Sequence, residues 1–214
     1  MSIHCLRQVT DCVTFIVADF KILNYTAITK MVSDVEYKAY AYRWYILAMF
    51  CSLEMCNNIM WVTFAPISDI SSSYFENGYY GSTTSINMLA NIYFIAYLPG
   101  TLLGIFLMKN YNLKRTLEIS GSLTMIGSLL RYIAAVYKNE WGVGSTYSVM
   151  MLGQTLAGLA QPLVMNAPPA VAAIWFPTDE REMATTIGSM FCPIGGAIGQ
   201  IIPFLLVTQS SKNG

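Results

Sequence analysis

The sequence predicts an all-α membrane protein with five transmembrane helices, and three observations predict it. Of the 214 residues, 55% are hydrophobic and 11% charged, with a mean hydropathy of +0.48, whereas roughly a quarter of the residues in a soluble domain are charged. The apolar residues are gathered into five spans, 45–67, 86–108, 116–137, 147–175 and 185–207, which hold only Glu54, Glu118 and Arg131 of the twelve basic and twelve acidic side chains. Four of these spans have about the 20 residues that a helix rising 1.5 Å per residue needs to cross a bilayer core. The expected location is a plasma or organelle membrane, crossed several times.

Composition also excludes functions. A formal charge of zero argues against nucleic acid as a partner. A single histidine leaves little for imidazole catalysis or a histidine-rich metal site. Five cysteines are an odd count, and Cys51, Cys56 and Cys192 fall inside spans, so no disulfide framework is implied. Gly142-Val143-Gly144 follows no strand and lacks a helix-opening glycine, which argues against a dinucleotide loop. No catalytic residue, metal site or cofactor is expected, and the chain is not read as an enzyme.

Residues 1–43 are read as a cytoplasmic tail. Their apolar stretch, residues 12–20, is broken by Asp19 and followed by Lys21, too short to span and without the cleavage pattern of a signal peptide. Met31 is an alternative start. The first span, 45–67, places Glu54, Asn57, Asn58, Trp61, Ala65 and Ser68 within an arc of about 100° on a helix. Two readings stand for that stripe: contacts to a small polar or cationic solute, or hydrogen bonds between helices. Glu54 lies near mid-membrane, where a carboxylate is a candidate for ion or proton coupling or a buried acid bonded to a neighbouring helix.

Residues 68–84 contain no base and suit an external turn region. The second span, 86–108, carries Asn87 and Asn91 one turn apart, read as lining the same cavity, and Gly100-x-x-x-Gly104, read as a packing face. In the third, 116–137, Glu118 is expected to pair with Lys114 or Arg115 and Arg131 to snorkel to the outer interface. The fourth, 147–175, is longer than a straight crossing requires and contains Pro168-Pro169, so it should kink, tilt or overrun the bilayer. Gln154, Gly158, Gln161 and Met165 share its polar stripe. The fifth, 185–207, aligns Thr185, Ser189, Cys192, Gly196, Gly199 and Pro203, read as a close-packing face.

Orientation follows from the bases outside the spans. With a cytoplasmic N-terminus, that side receives Arg7, Lys21, Lys30, Lys38, Arg43, Lys109, Lys114, Arg115 and Arg181, and the far side only Lys138 and Lys212.

These residues together resemble a known family. From about Tyr42 to Val207 the chain resembles the first five helices of a major facilitator superfamily transporter, and Trp175-Phe176-Pro177-Thr178-Asp179-Glu180-Arg181-Glu182-Met183-Ala184 looks like the signature joining its fourth and fifth helices. Met55-Cys56-Asn57-Asn58 with Trp61, then Phe64-Ala65-Pro66-Ile67-Ser68-Asp69, resembles the first helix of the feline leukaemia virus subgroup C receptor family. Gly153-Gln154, Ala160-Gln161-Pro162 and Val164-Met165-Asn166-Ala167-Pro168 strengthen the match. The resemblance implies a partial N-terminal six-helix bundle over residues 44–214 and a carrier of haem, choline or a related organic cation by alternating access. It implies that Trp61 encloses a quaternary ammonium group, with Asn57 one turn before it. Asn58, Gln154 and Gln161 complete the expected substrate-binding set, and Lys114, Arg115, Asp179, Glu180 and Arg181 the cytoplasmic loop motifs.

Three departures accompany the resemblance. Lys109-Asn110-Tyr111-Asn112 lacks the acid usual between helices two and three, Ile194 stands where choline-handling members carry glutamine, and Glu54 is extra. Superfamily members have twelve helices, so five leave the second bundle to be supplied by missing sequence or a full-length homologue. The competing expectation is a non-transporting truncated protein that regulates or scaffolds a full-length partner.

Overall fold

The computed structural model describes residues 41–75 and 79–212. Among them every regular element is helical, and five helices are long and apolar enough to cross a membrane: Tyr42–Ile67, Thr83–Asn110, Leu113–Val136, Lys138–Met165 and Arg181–Pro203. The chain is a multi-pass membrane protein. The expected tail lies outside the described residues except at its end, where Tyr42 and Arg43 already belong to the first helix, α1 (Tyr42–Val62).

Prolines mark two of the helix breaks. The first span was expected to run unbroken to residue 67, but α1 ends at Val62 and a 3-10 turn follows at Ala65–Ile67. Pro66 has no N–H for the Val62 carbonyl, and its ring crowds that position. A short α2 (Ser68–Tyr74) occupies part of the connection to the second long helix. Helix α3 (Thr83–Asn110) starts at an Ser82 cap, whose hydroxyl accepts from the Ser85 N–H at 3.2 Å. Helix α4 is Leu113–Val136.

The fourth span differs most from expectation. Its helix α5 (Lys138–Met165) starts nine residues before 147 and bends at Gly142, whose φ of 76° is a left-handed value that glycine adopts at little cost. It stops at Met165, and Pro168-Pro169 open a separate α6 (Pro168–Trp175). The proline pair therefore breaks the helix, because neither residue offers an N–H and both suit a helix's first turn. Helix α7 (Arg181–Lys212) outruns the expected 185–207 at both ends.

Helix α5 is central: it packs along α3 and α4 and touches α1, while α1 packs along α7. Glycines set these approaches. A Cβ on Gly127 of α4 would lie 2.6 Å from the Gly153 carbonyl oxygen of α5, and one on Gly153 2.6 Å from that of Gly127. A Cβ on Gly100 would lie 2.7 Å from the Leu159 carbonyl oxygen, as the Gly100-x-x-x-Gly104 pattern predicts. On α7 the packed face overlaps the expected row in part: Gly199 and Pro203 are buried and Cys192 bonds to Asn58. Gly188, Gly195 and Gly199 are the buried glycines against neighbouring helices, while Gly196 meets nothing within 4 Å and Ser189 is exposed. The contact face thus shares part of the predicted stripe and extends to the side of it that carries Gly188 and Gly195.

Apolar packing divides into layers. One cluster gathers Leu47, Phe50, Leu53, Leu117, Val164 and Phe176, and another Phe64, Phe75, Ile86, Leu89, Ala134 and Met150. A polar belt lies between them along the helices: Asn57 and Asn58 on α1, Ser120 and Thr124 on α4, Gln154 and Gln161 on α5, all buried.

Candidate functional site

The α1 stripe divides between two directions. Asn57 turns into the bundle, where its Nδ2 donates to Thr124 Oγ1 and to the Ala157 carbonyl, each at 3.1 Å. Asn58 turns towards α5 and α7. Its Oδ1 accepts from Gln161 Nε2 at 3.3 Å and from the Cys192 thiol at 3.4 Å, while its Nδ2 donates to the Glu54 carbonyl at 3.0 Å. The Glu54 side chain is 1% exposed, and neither carboxylate oxygen has a hydrogen-bond partner among the described residues. Such a group is costly in a low-dielectric interior.

Gln154 is fully buried and donates through Nε2 to the Leu89 carbonyl of α3 at 2.8 Å. One turn along α3, the Tyr93 ring lies 6.4 Å from that of Trp61, and Phe94 presents an edge to Trp61 at 5.5 Å. Trp61 is half-buried, its indole held between α1 and α3. Asn87 and Asn91 were expected in the same cavity, but both are exposed on the outer face of α3. The helix buries Ile86, Leu89 and Tyr93 instead, and larger apolar side chains gain more from burial than amides do.

Arg131 overturns its snorkelling expectation. It is fully buried, donates from Nη1 to the Met60 carbonyl at 3.1 Å and lies 4.8 Å over the Phe64 ring. Thr124 escaped the sequence reading and Arg131 was not read as part of the interior, although Thr116, Ser120, Thr124, Gly127 and Arg131 recur every three or four residues along α4, the spacing of a single face.

At the other end, Arg43 ties the start of α1 to the loop before α7. Its Nη2 reaches both Glu180 carboxylate oxygens at 2.9 and 2.8 Å, and its guanidinium lies 5.4 Å from the Phe176 ring. Arg181 Nε donates to the Phe176 carbonyl at 3.2 Å, and Asp179 is exposed. Lys114 pairs with Glu118 at 3.9 Å, and Arg115 lies 5.8 Å from the Tyr111 ring. The loop motifs therefore form two separate groups.

Residues 45–212 match the family model described as Major Facilitator Superfamily. Solute carrier family 49 member A3 of Xenopus tropicalis is 33% identical over 88% of this chain and 38% of its own length. The choline/ethanolamine transporter flvcr2a of Danio rerio is 29% identical over 83% of the chain and 35% of its own length, and the human choline/ethanolamine transporter FLVCR2 26% identical over 77% and 29%. The chain thus spans about a third of the length of these curated relatives. Five apolar helices, the buried polar belt between them and a family match over most of the sequence lead to one assignment: this chain belongs to the Major Facilitator Superfamily.

Proposed function

We propose that this chain forms the N-terminal helices of a carrier for a small organic cation of the choline or ethanolamine type, moved by alternating access between two bundles. The observation that carries the reading is Trp61, an indole held by Tyr93 and Phe94 and left half-buried beside a belt of buried amides. An indole face attracts a cation, and two of the relatives are named choline/ethanolamine transporters. In this reading Asn57, Asn58, Gln154 and Gln161 form the polar wall behind the solute, and Glu54 couples an ion to its movement. Lys114, Arg115, Asp179, Glu180 and Arg181 face the cytoplasm.

A chimera tests it. Residues 42–212 replace the matching segment of the Danio rerio transporter flvcr2a, and uptake of labelled choline, ethanolamine and haem is followed in cells. Saturable uptake of choline or ethanolamine supports the reading. A chimera that reaches the membrane and moves neither overturns it, and uptake of haem alone assigns a different solute. Should the 214-residue chain co-purify with the intact relative and alter its uptake, the scaffolding alternative gains the support instead.

A further inference from the structure

We propose that Arg131 is a positioning residue for Trp61, holding the end of α1 so that the indole keeps one orientation. Trp61 stands in the last turn of α1, two residues before the helix gives way to Thr63 and the 3-10 turn at Ala65–Ile67. The last carbonyls of a helix lack intrahelical partners, so this end needs outside support. Arg131 supplies it from α4, and it does so on both sides of Trp61. Its Nη1 holds the carbonyl of Met60, the residue before, at 3.1 Å, and its guanidinium lies 4.8 Å over the ring of Phe64, three residues on.

The aromatic neighbour of Trp61 shares the same interior: the Tyr93 ring lies 6.4 Å from the indole and is buried. Met60, Phe64, Tyr93 and Arg131 are each no more than 1% exposed, so these contacts are shielded from water, and Trp61 alone of the group is partly exposed. A planar, delocalised guanidinium is suited to this double task. It donates along its plane while stacking with its face, which an ammonium cannot reproduce. Burying a charge within a membrane bundle is costly unless its surroundings are fixed, so the guanidinium stiffens what it touches. What this does for a solute rests on the function proposed above; the fixing of the indole does not.

The test reads Trp61 directly and uses no solute. The chain has four tryptophans. In lipid nanodiscs, the 214-residue chain carrying Trp44→Phe, Trp141→Phe and Trp175→Phe emits from Trp61 only. A second version, with Trp44→Phe, Trp61→Phe and Trp141→Phe, emits from Trp175 near the opposite end of the bundle. Arg131→Lys and Arg131→Met should raise the acrylamide quenching constant of Trp61 by about twofold or more, as local loosening exposes it, and leave that of Trp175 unchanged. Phe64→Leu, which removes only the ring beneath the guanidinium, should raise it less. Unchanged quenching of Trp61, or an equal rise at both reporters, overturns the proposal. If both Arg131 variants lose helical circular dichroism, Phe64→Leu decides: a rise confined to Trp61 supports the assignment and no rise overturns it.

Discussion

Asn57 of α1 donates from one amide nitrogen to Thr124 of α4 and to the Ala157 carbonyl of α5, both at 3.1 Å. One side chain thus ties three helices at the middle of the bundle. Asn57→Ala should lower the stability of the chain in detergent by about 1–2 kcal/mol, since interhelical hydrogen bonds in membranes contribute at most that much. Thr124→Val removes only one of the two bonds and should cost less. In SDS titrations followed by circular dichroism, the double variant should lose less than the sum of the singles, and strict additivity contradicts a shared bond.

The glycine contacts make a sharper contrast. A Cβ on Gly153 meets the Gly127 backbone oxygen at 2.6 Å, one on Gly104 meets Leu163 at 3.6 Å and one on Gly196 meets nothing within 4 Å. Backbone cannot swing aside, so Gly153→Ala should cost about 1–3 kcal/mol through overpacking. Gly104→Ala and Gly196→Ala should change the midpoint of thermal unfolding little. Equal losses at Gly153 and Gly196 contradict the α4–α5 packing.

Helix number, type and approximate position were legible because charge avoids hydrocarbon: of the three charged residues within the apolar spans, Glu118 pairs with Lys114 near a helix start, and Glu54 and Arg131 are the buried ones. Helix ends were less legible. Pro66 and Pro168-Pro169 mark breaks that hydropathy averages over, and Gly142 bends α5 where composition gives no sign. The polar belt was visible as stripes, yet a stripe does not say which neighbour it meets. Asn57 and Asn58 are adjacent and both reach α5, yet one continues to α4 and the other to α7, while Asn87 and Asn91 face outward. Of the α7 row, Cys192 and Gly199 meet α1 and Gly196 does not, while Gly195 beside it does. Those outcomes depend on how the helices are rotated against one another, which periodicity alone does not contain.

The proposed orientation has a direct check. Tyr79 is 83% exposed in the loop before α3, and Thr178 is exposed in the loop before α7. In a cysteine-free background, Tyr79→Cys should react with a membrane-impermeant maleimide on intact cells and Thr178→Cys only after permeabilisation. The reverse pattern inverts the topology.

For the proposed solute contact, Trp61→Phe and Trp61→Ala in the chimera separate attraction from packing. Phenylalanine keeps a weaker aromatic face and alanine keeps none, and a cation-π contact contributes about 0.5–2 kcal/mol. Apparent affinity for choline or ethanolamine should therefore fall in the order Trp61, Phe, Ala. Equal loss in both variants assigns Trp61 to packing against Tyr93 and Phe94, and no loss removes it from the solute path.

Glu54 separates stability from function. Its carboxylate is buried and makes no hydrogen bond among the described residues, so the fold gains little from it and bears the cost of desolvating it. Replacing a buried polar or ionic group by an apolar one of similar volume is often neutral or stabilising by about 1–4 kcal/mol. Glu54→Met should accordingly unfold at the same or a higher temperature than the parent chain, whereas a residue holding helices together, such as Asn57, loses stability when truncated. If Glu54 couples an ion to solute movement, the same substitution in the chimera should abolish the dependence of uptake on the ion gradient while the protein becomes no less stable. A marked loss of stability assigns Glu54 to the bundle's structure, and uptake that keeps its gradient dependence in a stable Glu54→Met chimera removes the coupling role.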